Sequence, residues 1–132
     1  MTRDEFEIAF YQVLERSFKV SEIARRKGLL AVEDVLDSEK ISNRDIFEYG
    51  MQFVIDGTDS EFVDKLLSNI IKQEKDEDKA LLMLMQKEAV LTIQYGTNTR
   101  LLMLLLNSYT NIPLCASKMQ EYLGDWDMEN QL

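Results

Sequence analysis

The stretch SEIARRKGLLAVEDVLDSEKISNRDIFEYGMQFVIDGTDSEFVDKLLSNII, Ser21–Ile71, decides how this chain folds. It holds the end of one amphipathic helix, a glycine break, and two further apolar faces joined by a tight turn. Arg25, Arg26 and Lys27 precede Gly28; positive charge there complements the negative end of a helix dipole, and glycine lets the chain leave the helix. Leu29 to Leu36 predicts a short second helix with Leu29, Leu30, Val32 and Leu36 inward and Glu33 and Asp34 outward. Asp37 to Asn43 is polar, and Ser42 with Asp45 resembles a capping start for a third helix over 44–55. That helix packs Ile46, Phe47, Met51, Phe53, Val54 and Ile55. Asp56-Gly57 closes it, since glycine can take the left-handed conformation of a tight turn. Thr58, with Glu61 three residues on, predicts the cap of a fourth helix whose apolar face is Phe62, Val63, Leu66, Leu67, Ile70 and Ile71.

Upstream, Thr2 and Glu5 form a T-x-x-E capping box. From there Phe6, Ala9, Phe10, Val13, Leu14, Phe18, Val20, Ile23 and Ala24 recur at three- and four-residue steps, lining one face of a helix of about twenty-five residues. Downstream, the fourth helix meets KQEKDEDK, Lys72 to Lys79, a block with nothing apolar. The block must be solvated, so the helix either projects from the bundle there or breaks. Leu81 to Met85 and Leu101 to Leu106 flank a turn-like stretch, Tyr95-Gly96-Thr97-Asn98-Thr99, and predict helices near 80–95 and 99–110. Pro113 starts a last short helix carrying Leu114, Ala116, Met119 and Leu123.

The fold expected from these segments is all-α, a compact soluble bundle of about five to six helices. Residues 1–124 form a single helical domain, with a Leu/Met-rich second half over 80–123, and 125–132 a flexible tail. Composition agrees: 132 residues with 45% apolar and 30% charged side chains are enough for one hydrophobic core, and a single proline, five glycines and abundant Leu, Met, Glu and Lys favour helix over sheet. The formal charge of −9 repels nucleic acid and anionic lipid, so neither is an expected partner. Cys115 stands alone, which excludes an intramolecular disulfide and fits a reducing cytoplasm. The N-terminus carries no signal-peptide pattern. The most apolar stretch, Leu101 to Ser117, contains Asn107, Asn111 and Pro113, and a spanning helix wants about twenty predominantly apolar residues; no integral membrane span is expected.

Chemistry finds little footing. The chain has no histidine, which removes the usual general base and the commonest metal ligand. Cys115 therefore lacks an activating partner, the five glycines are isolated, and Asp76-Glu77-Asp78 lacks calcium-loop spacing. No pair of carboxylates is singled out. The chain reads as a non-enzyme with no cofactor and no metal.

Two segments are familiar together. SEIARRKGLLAVED, Ser21–Asp34, resembles the cytoplasmic segment after the second membrane helix of the flagellar motor stator protein MotA family, and FEYGMQFVIDGTDSEFVDKLLSNII, Phe47–Ile71, resembles the segment that follows it there. The A-R-x-x-G-L-L string and the V-I-D-G-T-D turn stand in the same order. What the resemblance implies is a helical cytoplasmic domain that meets the rotor through one basic and one acidic side chain. Carried over by position, the basic one is Arg25, with Arg26 beside it, and the acidic one is Glu33. The partners implied are the rotor switch protein or other stator subunits, at the inner face of the membrane. The family's membrane helices are absent from this chain, so ion conduction is not carried over. Its second reading is a helical adaptor that dimerises or holds a partner helix through the Leu/Met-rich half, Leu81 to Leu106.

Overall fold

The computed structural model describes residues 1–36 and 45–124, and every regular element among them is helical. Seven α-helices follow in order: α1 (Arg3–Lys27), α2 (Leu29–Val32), α3 (Ile46–Ile55), α4 (Ser60–Lys72), α5 (Glu77–Tyr95), α6 (Thr99–Asn107) and α7 (Ala116–Leu123). A 3-10 turn, Glu33–Val35, continues α2. The all-α class stands, and the seven helices among the described residues exceed the overall expectation of five to six, although both short segments, 29–36 and the one after Pro113, read as helices individually. No helix among the described residues is long and apolar enough to cross a membrane. The polar stretch up to Arg44, the Ser42 cap and the 125–132 tail lie outside the described residues.

Local chemistry explains most of the boundaries. At the start of α1 the Glu5 amide donates to Thr2 Oγ1 at 3.1 Å and the Thr2 amide to Glu5 Oε1 at 3.3 Å, so the capping box forms as read. α3 starts at Asp45, whose carboxylate accepts from the Glu48 amide at 3.0 Å. It ends with Gly57 at φ +83°, the Gly57 amide on the Val54 carbonyl and the Thr58 amide on the Phe53 carbonyl. Those two bonds are the Schellman closure, which consumes orphan carbonyls of the last turn. Thr58 therefore serves the end of α3 rather than the start of α4, and Asp59 precedes α4 without a side-chain cap. Gly96 repeats the arrangement after α5, with its amide on Ile93 and that of Thr97 on Thr92.

The charged block after α4 breaks. Asp76 turns it into a helix start, its Oδ1 accepting from the amides of Asp78 at 3.0 Å and Lys79 at 3.2 Å. So α5 begins within the acidic run, where negative side chains suit the positive end of the helix dipole. At the other end of the chain Pro113 precedes the last helix without joining it; α7 starts after Cys115.

α5 is the central element. It packs against α1, α3, α4 and α6, and from Ala80 to Gln94 none of its residues is fully exposed. Met85, Ala89 and Val90 are completely buried, as are Leu102 and Leu106 of α6. The Leu/Met-rich second half thus supplies core against the first half of the same chain. The narrowest approach is at Gly50 of α3: a Cβ there would lie 2.9 Å from Leu67 Cδ1 of α4 and 3.1 Å from both methyls of Val90 of α5. Glycine sets how close three helices come.

Polar side chains lock the periphery. Arg16 of α1 bonds Asp45 at the head of α3, reaches Gln86 of α5 at 3.3 Å, and stacks 4.7 Å above the Phe47 ring. Lys87 of α5 reaches Asp64 at 2.8 Å and Ser68 at 3.1 Å on α4. Burial pulls the Lys87 pKa down, but Asp64 and Glu88 outweigh it and leave it raised, so the amine stays charged. α7 is tied to α1 through Glu15, which accepts from Tyr122 Oη at 2.7 Å and Lys118 Nζ at 3.1 Å, and to α6 through Arg100, whose Nε donates to the Leu123 carbonyl at 2.8 Å. The Tyr122 bond, with Lys118, holds the Glu15 carboxyl below its ordinary pKa.

Two outcomes test this packing. Gly50→Val is expected to lower unfolding stability by about 1–3 kcal/mol in urea titration, the usual cost of overpacking a core. Glu15 has a depressed pKa, so its contribution is present above the unfolded-state value near 4.3 and is lost as pH falls through the folded value. Amide protection factors in 116–123 are expected to fall at acid pH ahead of those in α5, and Glu15→Gln should give the same local loss of protection at neutral pH.

Candidate functional site: the corner at Gly28

Sequence reading points to Arg25, Arg26 and Glu33, and the structure sets all three on one corner, where α1 ends and α2 turns back against it. Gly28 makes the corner. Its φ of +92° is unfavourable for any residue with a Cβ, and its amide closes α1 on the Ala24 carbonyl at 2.9 Å.

Beneath the corner the end of α1 is fixed by a polar network to the turn between α5 and α6. Ser21 and Thr99, both buried, share a hydrogen bond of 2.7 Å, and Thr99 Oγ1 lies 3.0 Å from Glu22 Oε2. The other Glu22 oxygen accepts from Arg26 at 3.3 Å, an exposed pair one turn apart. Arg25 donates to the Gly96 carbonyl at 2.8 Å. The two arginines are thereby distinguished, although both are exposed. Arg25 braces the α5–α6 turn, while the Arg26 side chain is 75% exposed and, among the described residues, pairs with Glu22 across the surface, an interaction of about 0–1 kcal/mol.

The inward face of the corner is Leu29, Val32 and Leu36, with Val32 fully buried. Leu30 departs from the sequence reading. It is 73% exposed, because α2 turns Leu29 and Val32 toward the core and Leu30 is rotated about 100° from Leu29. It shares its outer face with Glu33 and Asp34, three and four residues on, and Val35 beside them is 53% exposed. Phe62 on α4, also expected inward, is 55% exposed.

Elsewhere the described residues hold no group of three or more His, Cys, Asp or Glu side chains that could hold a metal ion. An open cleft of about 470 Å³ lies between Arg3, Phe6, Asp78, Leu81 and Tyr109. Cys115 is exposed, its thiol pKa lowered by the Ser117 hydroxyl 3.2 Å away. The Ser21–Thr99–Glu22 network escaped sequence reading, since small hydroxyl residues 78 positions apart leave no periodic signal.

Separating the two arginines gives a testable difference. Arg25→Ala is expected to speed amide exchange around Gly96 and Thr97, whereas Leu30→Ser should change stability by no more than about 0.5 kcal/mol, as at other exposed sites. No family model matches the chain, and neither a curated protein nor a solved structure matches it significantly.

Proposed function

We propose that this chain is a non-enzymatic protein-interaction domain resembling the cytoplasmic part of a flagellar motor stator subunit, docking on a rotor or stator component through the Gly28 corner. The observation that carries this reading is the exposure of Arg26 and Glu33 on either side of the Gly28 break, with the outward Leu30 between them in sequence. A basic and an acidic group at fixed separation select a partner by complementary charge and set its register. An exposed leucine between them adds an apolar contact that water leaves on docking. The resemblance of Ser21–Asp34 and Phe47–Ile71 to the MotA family directs the choice of partner to the rotor switch protein, in the cytoplasm.

Arg25 contributes differently from Arg26 in this reading. Its guanidinium is already engaged by the Gly96 carbonyl, so it shapes the corner and meets the partner at its edge. Arg26 and Glu33 are the direct contacts.

The test is titration of the purified chain with the purified rotor switch protein of the same organism. Arg26→Glu and Glu33→Lys are each expected to weaken binding about tenfold or more, the scale of losing a charge pair and gaining a like-charge contact, with helicity unchanged. Equal binding by wild type and both variants would refute the reading.

A further inference from the structure

The open cleft of about 470 Å³ brings together three stretches distant in sequence: the starts of α1 and α5 and the segment that follows α6. Its apolar walls are Phe6, Leu81, Tyr109 and Ile112, and its charged ones are Arg3 and Asp78. Clefts of roughly 300–1,000 Å³ with apolar walls and a few polar groups are typical of small-ligand sites. No ion pair joins Arg3 to Asp78 among the described residues; Arg3 pairs with Glu7 instead, 3.3 Å away on an exposed helix face. We infer that this cleft binds a free amino acid with a large apolar side chain, its carboxylate on Arg3, its ammonium on Asp78 and its side chain against Phe6, Leu81, Tyr109 and Ile112.

Each wall is set by bonds that ligand entry leaves intact. The Thr2–Glu5 box caps the turn that carries Arg3, and Asp76 Oδ1 accepts from the Asp78 amide at 3.0 Å. The third wall is held by Asn107 Nδ2 on the Ile112 carbonyl at 3.0 Å and by the Ile112 amide on Thr110 Oγ1 at 3.3 Å. Tyr11 Oη, donating to the Pro113 carbonyl at 3.3 Å, ties that segment back to α1. Walls placed in advance lower the ordering cost of binding. Charge then selects the ligand class. The chain carries −9, which repels a simple anion, and Asp78 adds a carboxylate to the cleft itself. A simple amine leaves Arg3 unmatched. A zwitterion has no net charge and meets both groups. The guanidinium receives a carboxylate through paired N–H donors, and the exposed Arg3–Glu7 pair is weak enough to yield to it. Two rings, Phe6 and Tyr109, among the walls suit an aromatic body.

None of these residues belongs to the Gly28 corner, so the rotor reading can fail without consequence here. The isotopically labelled chain, titrated with L-phenylalanine at mildly acidic pH, should shift the amides of Phe6, Leu81, Tyr109 and Ile112 with an affinity on the order of 1 mM. L-serine has the same charges without the apolar body and should bind about tenfold more weakly or worse. N-acetyl-phenylalanine lacks the ammonium and phenylalaninamide lacks the carboxylate, so each should also lose about tenfold. Asp78→Asn should weaken L-phenylalanine about tenfold yet leave N-acetyl-phenylalanine unchanged, and Arg3→Gln should do the same for L-phenylalanine against phenylalaninamide. Both variants keep the capping bonds made by Thr2, Glu5 and Asp76, and their circular dichroism should match wild type. Absence of shifts at these walls would overturn the assignment. So would blocked forms that bind as well as the free amino acid, the mark of apolar contact only, or variants that lose free and blocked forms alike.

Discussion

The structure depends on burying α5 on several sides at once. A helix with no fully exposed residue from Ala80 to Gln94 must be covered by neighbours, and α1, α3, α4 and α6 supply that cover. Each presents one apolar stripe inward: Phe10 and Leu14 from α1, Phe47 and Met51 from α3, Val63 and Leu67 from α4, Leu102 and Leu106 from α6. Close packing then demands one small residue where three helices converge, and Gly50 is that residue. The long-range polar contacts of Arg16, Lys87 and Glu15 fix the register of helices whose apolar faces alone would tolerate sliding.

The exposed corner follows from the same constraint. The α5–α6 turn must close α5 at Gly96 and send α6 back across the core, and the end of α1 is tied to that turn through Thr99 and the Gly96 carbonyl. Gly28 then has to reverse the chain. α2 spends Leu29 and Val32 on the core and leaves Leu30 outside. A charged, leucine-bearing edge on a rigid frame is suited to recognition. The hydroxyl and carbonyl partners beneath it are satisfied internally, so docking does not require them to be broken.

Much of this was legible from residue order. The Thr2–Glu5 capping box, the Gly57 turn and the three- and four-residue spacing of α1 express local backbone chemistry, and local chemistry decides them. Thr58 was misread because a Thr-x-x-Glu pattern looks the same whether threonine opens one helix or closes the previous one; the Phe53 carbonyl claims its amide first. Asp76 was hidden inside a charge run whose composition signals solvent, although its position also permits a cap. Leu30 and Phe62 lie outside because a short helix buries only one face, and hydrophobicity alone does not choose it. The centrality of α5 was the largest omission: its Leu and Met run suits a core and a partner groove equally, and only the packing of α1, α3 and α4 around it decides between them. Of the candidate site, the charges could be named from sequence, whereas the division of labour between Arg25 and Arg26 depends on a carbonyl 71 residues away.

The central proposal is that a helix-locked core presents the Gly28 corner as a docking surface. The most direct measurement is residue-by-residue NMR of the isotopically labelled chain, kept dilute and titrated with the purified rotor switch protein. Shift changes concentrated at Arg26 to Val35, with the α5 and α6 core residues Met85, Val90 and Leu102 unmoved, are the predicted result. Changes centred on the outer face of α6 at Leu101 and Leu105, or none at saturating partner, would contradict the account.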